Sequence, residues 1–302
     1  MLLALEMTRK WLYKTVFLLI FFPFQSYSWN ALGHRLITEM AYQHLTSHAK
    51  ETFNAYNLAL NKIYPQRDLI EASVWLDKMR FYEVHWYDKL HYLNWFFSEE
   101  RVNKPLRNQG INALWAVRQA KRTLLSSKAR PIDKGLSLRI LLHVVGDIHQ
   151  PLHVATRVNT RFPKGDRGGN LALLGKNPVA DNLHAYWDKG GGFLIKPRYT
   201  QAEVKKLAAA LEKEWPCRLD AIDKNPKHWA KESYHDATHY AYVIMDQQVP
   251  SSEYQQTTQK ITRQRLALAG CRLAAVLNQI DEDLSQQTIV SRKTKRYKTK
   301  RA

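Results

Sequence analysis

The stretch His143-Val144-Val145-Gly146-Asp147-Ile148-His149-Gln150-Pro151-Leu152-His153 carries metal-binding residue types at a spacing that lets them meet. His143 and Asp147 are four apart, so in a helix they share one face, a turn from each other. Pro151 cannot continue that helix, and it pushes Gln150 toward extended geometry. The chain therefore turns after His149, and His153 can return to the same space. Two imidazoles and a carboxylate at a helix end are a ligand set for a metal ion. His149 points about 200° away from Asp147 and reads as a hydrogen-bonded packing histidine. Taken alone, the stretch fits equally well a core helix with satisfied histidines.

Similar residues recur along the chain. Trp29-Asn30-Ala31-Leu32-Gly33-His34 places an imidazole five residues after a tryptophan. Asp77 and Arg80 are three apart on a helical stretch, where a surface ion pair is the plain alternative. His91-Tyr92-Leu93-Asn94 sets a histidine among aromatic residues, and Asn182-Leu183-His184-Ala185-Tyr186-Trp187-Asp188 again puts His and Asp one helical turn apart.

The elements that must position these residues are helical. Apolar periodicity predicts helices near 35–47, 48–58, 67–79, 109–128, 134–149, 201–214, 227–248 and 257–282. Breakers separate them: Pro105, Pro131, the run Pro163-Lys164-Gly165-Asp166-Arg167-Gly168-Gly169, and Gly190-Gly191-Gly192. The segment around 160–195 is expected to be irregular or a small hairpin. No repeat or long linker divides the rest, so one mainly α-helical domain is expected over 29–286.

Residues 1–28 have the pattern of a secretory signal: Arg9, Lys10 and Lys14, a short apolar core from Val16 to Phe22, then Ser26-Tyr27-Ser28 before Trp29. The apolar run is too short to span a membrane comfortably. Cleavage before Trp29 and a secreted or periplasmic protein with no stable membrane insertion are expected. Cys217 and Cys271 have no metal-ligand spacing and are expected to pair in an oxidising compartment, the alternative being two buried thiols.

The 302 residues carry a formal charge of +19. Removing 1–28 takes away three basic residues and Glu6, which leaves +17. A field of that sign favours polyanions such as nucleic acid, anionic lipid or acidic glycans. Seven of the twelve residues from Ser291 to Ala302 are Lys or Arg, so 287–302 reads as a solvated, disordered tail.

From Trp29 to about Leu277 these motifs, in this order, resemble the zinc-dependent S1/P1 nuclease family. The resemblance implies an α-helical domain shared in type with zinc phospholipase C, and three zinc ions per chain. One would be held by Asp77, His91, His143 and Asp147. A second would take the amine and carbonyl of Trp29 at the new N-terminus, His34 and a bridging Asp147. The third would take His153, His184 and Asp188. Imidazole and carboxylate ligands suit zinc independently of the resemblance.

The implied reaction is hydrolysis of single-stranded DNA, RNA and 3′-nucleotides to 5′-phosphate products by a zinc-bound hydroxide, with Arg80 contacting phosphate. A monomer is expected. The resemblance also makes Tyr92 a base-stacking residue, with Asn94 where some relatives carry Asp. Asn170 becomes a candidate to orient a ligand histidine. Two other readings compete. Zinc phospholipase C enzymes have a longer gap between the N-terminal Trp and the first His and tend to place Glu where Asp188 stands. A secreted nucleic-acid- or heparin-binding protein with structural zinc would favour closed, cysteine-rich sites.

Overall fold

The computed structural model of the protein describes residues 29–105, 110–196 and 198–299, apart from the side chains of 80, 81 and 291–299. The expected signal segment 1–28 lies outside the described residues. The chain is helical almost throughout. α1 (Ala31–Gln43) and α2 (Ser47–Asn61) start on the side-chain caps of Asn30 and Thr46. α3 (Leu69–Ala72) and α4 (Trp75–Phe81) follow, then strand β1 (Trp95–Phe97). α5 (Ala113–Leu125) and α6 (Pro131–Ile148) pack against each other; α6 opens on Pro131, whose missing N–H costs nothing at a helix start. α7 (Pro151–Val154) leads into β2 (Ala155–Arg157), and α8 (Leu183–Asp188), α9 (Gln201–Glu214), α10 (Pro226–Asp236) and α11 (Ser252–Thr299) complete the order.

Four differences from the sequence pattern have physical causes. The helix expected over 67–79 is broken at Ser73-Val74, where the Ser73 hydroxyl donates to the Ile70 carbonyl at 2.6 Å. The helix expected over 227–248 ends earlier: after α10 the backbone widens into a π-turn, Ala237–Ala241, with Tyr242 N–H donating to the Ala237 carbonyl. β1 and β2 form a parallel pair, Trp95 opposite Ala155 to Phe97 opposite Arg157, too short to show a two-residue period in sequence. α11 runs through 286 without a break because it contains no Pro and no Gly other than Gly270, which packs inside the helix against Met40. The side chains of the basic tail beyond 290 lie outside the described residues.

The 160–195 segment is largely irregular, as expected, with one antiparallel bridge between Leu173 and Asn182. Cys217 and Cys271 form a disulfide that ties the stretch after α9 to α11. No helix among the described residues is long and apolar enough to cross a membrane.

The end of α6 is fixed by α10 and α11. Arg265 and Arg272 are seven apart and share one face of α11. Arg265 donates to the His149 carbonyl (3.3 Å), the Trp229 carbonyl (3.1 Å) and the Ser233 hydroxyl (2.6 Å), and Ser233 donates to the Ile148 carbonyl. Both arginines reach the Glu232 carboxylate at 2.7 Å. The cations thus sit at the carbonyl end of α6, where the helix dipole favours them. His149 completes the junction as a packing residue: Nδ1 donates to the Val145 carbonyl and Nε2 accepts from Arg272. Burial, then the nearby Arg265 and Arg272, push its pKa well below the usual histidine range, so it is neutral.

Burial opposes the charge of Glu232, but the hydrogen bonds from Arg272 and the field of Arg265 outweigh it and lower its pKa below 4.5. Glu232→Gln removes the carboxylate that two buried guanidinium groups share, leaving Arg265 with Asp236 at 3.7 Å, and is expected to cost on the order of 2 kcal/mol at pH 7. The stabilisation is complete above pH 4.5 and fades as pH falls below it, because the unfolded chain takes up the proton first. Denaturant titrations of both proteins should therefore show a gap that narrows below pH 4.5. A constant gap across pH would mean that the carboxylate charge is irrelevant to the junction.

Candidate metal centre

The last turn of α6 carries Asp147, and other elements bring imidazoles to it. Asp147 Oδ1 lies 3.5 Å from His34 Nε2 on α1 and 3.9 Å from His153 Nδ1 on α7. Its Oδ2 lies 3.0 Å from His91 Nδ1 and 3.4 Å from His143 Nε2. Asp77 on α4 approaches from the other side, with Oδ1 3.5 Å from His143 Nε2 and 3.8 Å from His91 Nδ1. On α8, Asp188 lies 3.4 Å from His184 Nε2 and 3.9 Å from His153 Nε2. All eight side chains are buried.

Three groups have ligand atoms within 4.8 Å of one another and could each hold a metal ion: His34, His143 and Asp147; Asp77, His91 and His143; and His153, His184 and Asp188. His143 stands in two of them, and its ring stacks on His34 at 3.8 Å. The expected sets put His34 with Trp29 and Asp147 only, so this neighbour relation adds to them. The donor set fits a divalent ion: imidazoles and carboxylates, buried and converging. Burial disfavours a charge on His143, but Asp147 and Asp77 outweigh it and raise its pKa to about 9. His34 goes the other way, pushed well below the usual range by burial and by the charge of His143. The carboxylates draw positive charge into the site, and a dication supplies two units where a proton supplies one.

Backbone carbonyls set three of the rings. His143 Nδ1 donates to Ser73 (2.7 Å), His153 Nδ1 to His91 (2.7 Å) and His184 Nδ1 to Gly168 (2.6 Å). Each bond turns the opposite nitrogen, Nε2, toward a carboxylate and fixes the tautomer a metal needs. The break between α3 and α4 lies at the carbonyl that His143 uses. The β1–β2 pair extends the link between the His91 and His153 loops, where Leu93 N–H also donates to the His153 carbonyl.

Several of these supports escape a reading of residue types. Ser73 and Gly168 act through their backbones, and Gln150 acts by donating from Nε2 to Asp188 Oδ1 at 2.6 Å. Gly168 sits at φ +62°, and a Cβ there would meet the Leu152 carbonyl oxygen at 2.3 Å. Its position inside the breaker run is the only sequence signal it gives. Asn170, the candidate orienter, instead donates to the Arg167 carbonyl at 2.8 Å, and the carbonyl of Gly168 serves His184.

Of the remaining expected residues, Trp29 is buried against the site: its indole N–H donates to the Gly146 carbonyl at 3.1 Å, and Asn30 N–H donates to the Asp188 carbonyl at 3.2 Å. Arg80 lies on α4, with its side chain outside the described residues. Tyr92 is half-buried beside His91. Asn94 holds φ +50°, a left-handed conformation that Asn tolerates, and its amide oxygen accepts from the Thr156 hydroxyl at 2.9 Å.

Gly146 lies inside a helix, where it costs about 1 kcal/mol relative to Ala. A Cβ there would stand 3.0 Å from His34 Nδ1 and 3.1 Å from Ile37 Cδ1. Gly146→Ala is therefore expected to keep the fold but push His34 away from Asp147, weakening metal binding by roughly 10- to 100-fold. Metal retained against a buffered chelator, measured beside the circular dichroism melt, checks this. Unchanged retention would show that α1 adapts and that the close approach has no bearing on the centre.

Comparison with known proteins agrees with this geometry. The chain matches the family model described as S1/P1 Nuclease over residues 29–282. It is similar to "Endonuclease 2" of Arabidopsis thaliana, 28% identical over 290 residues covering 88% of this chain and 94% of that protein. It is also similar to "Nuclease S1" of Aspergillus oryzae, 23% identical over 286 residues covering 84% of this chain and 92% of that protein. With buried His and Asp groups that could hold metal, a match across most of its length and nucleases as its relatives, the chain belongs to the S1/P1 nuclease family and is a nuclease.

Proposed function

We propose that this nuclease is an exported zinc enzyme that hydrolyses single-stranded DNA and RNA to 5′-phosphate products and removes phosphate from 3′-nucleotides. The observation that carries the reading is the cysteine-free set of buried imidazoles and carboxylates around Asp147. Such ligands suit zinc, and sets of three protein ligands leave positions open, as catalytic sites require. One zinc would take Asp77, His91, His143 and Asp147. Another would take His34, Asp147 and the amine and carbonyl of Trp29 once residues 1–28 are removed. A third would take His153, His184 and Asp188. Bound there, zinc supplies Lewis-acid neutralisation of phosphate charge and lowers the pKa of water to about 7.

The chain's own residues do the rest. Asp147 and Asp77 hold the centre together and keep it buried. Arg80, on the helix that carries Asp77, stabilises charge on the phosphate as the reaction proceeds. Tyr92, next to His91, stacks on the base at the cleaved linkage, and Asn94 contacts its edge. Stacking accepts every base but needs it unstacked from its neighbours, which favours single strands over duplexes. Export is supported by the 1–28 pattern and by the Cys217–Cys271 disulfide. The catalytic unit would be 29–286, acting as a monomer, with the basic 287–302 segment adding contacts to the nucleic-acid backbone.

Protein starting at Trp29 is stripped with a chelator, reloaded with zinc, and given single-stranded DNA, RNA, a 3′-nucleotide and phosphatidylcholine. Zinc-dependent release of 5′-phosphate ends from both nucleic acids, and of phosphate from the nucleotide, is expected. Head-group release from phosphatidylcholine with no nucleic-acid cleavage would overturn the reading in favour of a phospholipase. Binding of nucleic acid with no hydrolysis at any zinc loading would make the protein a binder.

A further inference from the structure

Between α4, which carries Asp77, and His91 the chain exposes two large aromatic side chains, Tyr82 (71%) and Trp86 (62%). Neither contributes to the core. Trp86 is nevertheless held. Its ring centroid lies 3.4 Å from that of Tyr87, which is buried, and Tyr87 meets buried Trp75 edge-on at 5.5 Å. Trp75 lies two residues before Asp77 on the same helix. The indole thus rests against buried Tyr87, which packs edge-on against Trp75 on the helix that carries Asp77, while much of the residue remains open to water.

The backbone is built to keep it there. α4 closes with Tyr82 N–H and Val84 N–H both donating to the Met79 carbonyl, and Glu83 between them sits at φ +57°. A glutamate in this left-handed conformation costs on the order of 1 kcal/mol that glycine would not. Such strain persists only where the surroundings over-determine it. Exposed Lys89 follows Trp86, and Glu83 and Asp88 stand in the same segment, so the aromatic side chains and not a surplus of charge distinguish it. An aromatic side chain that is held and exposed, in the segment that joins Asp77 to His91 of a nuclease, offers a face on which an unstacked nucleobase can lie.

We propose that Trp86 is a second stacking platform that holds a nucleobase of the single strand next to the one at the cleaved linkage. This rests on the nucleic-acid reading of the site above, and it adds a subsite separate from Tyr92. It makes the enzyme read a strand longer than the nucleotide it cuts, without choosing among bases.

The test uses zinc-loaded protein starting at Trp29 and a phosphorothioate single strand, so that binding is read without turnover. One abasic nucleotide is moved along the strand. In the unsubstituted protein, one position neighbouring the central base should weaken binding about tenfold. Trp86→Ala should weaken binding of the intact strand by a similar factor and erase the further loss at that position. Trp86→Tyr should restore both. Thermal melts separate loss of a contact from loss of fold, since Tyr87 and Trp75 are untouched. The proposal is overturned if Trp86→Ala binds the intact strand normally, if the abasic penalty survives in that variant, or if Trp86→Tyr fails to restore binding. It is overturned in favour of a lipid surface if Trp86→Ala loses only binding to phosphatidylglycerol vesicles. Absence of hydrolysis of an ordinary strand would strike the functional reading instead, while the binding series still decides the role of Trp86.

Discussion

Five imidazoles and three carboxylates are packed out of water around the last turn of one helix, and most of the architecture can be traced to keeping them there. A buried carboxylate is costly unless opposite charge or hydrogen bonds reach it. Asp147 is buried and lies within 4 Å of four histidines. Its helix ends two residues before Gln150, so the partial negative charge of the helix terminus adds to that of the carboxylate. Cations answer from both sides. On the outer side Arg265 donates to the His149 carbonyl and Arg272 to the His149 ring, with Glu232 between them, and the inner side carries the groups that could hold metal. The long helix α11 is therefore as much a part of the centre as the ligands are, although it contributes none.

Much of this was legible in the sequence. The His143–Asp147 spacing, the stop at Pro151 and the return of His153 follow from helix geometry and proline sterics, and the structure has each of them. His149 reads as a packing histidine from its angle around the helix, and the Val145 and Arg272 hydrogen bonds make it one. What could not be read acts through backbone or absence. Ser73 offers a carbonyl at a helix break, Gly168 offers one from a left-handed turn, and Gly146 offers the lack of a side chain. Residue type carries little information about any of these. The π-turn after α10 and the three-residue strands are hidden for a related reason: each is shorter than the several residues over which a period can be recognised.

Aromatic residues divide into two populations with separate roles. Trp29, Trp75, Trp187 and Trp229 are fully buried and fill the spaces between ligand-bearing elements. Trp29 ties the start of α1 to the Gly146 carbonyl, one residue from Asp147. Tyr82 and Trp86 lie outside, beside the same elements. If Trp86 stacks on a base as proposed, rigid packing behind the metal ligands and an aromatic face outside them would suit a substrate that is charged along its backbone and flat at its bases.

The proposed dependence of the centre on Trp29 as the first residue after an expected signal would separate this account from one in which the chain merely has buried histidines. An amide nitrogen cannot ligate as a free amine does, so the centre should be incomplete until the chain begins at Trp29. Zinc per chain and turnover of single-stranded DNA, measured for protein starting at Trp29 and for protein with one extra residue before it, give the answer. The account predicts less zinc and far lower turnover in the extended form, at nearly equal thermal stability. Equal zinc and equal turnover in the two forms would contradict it.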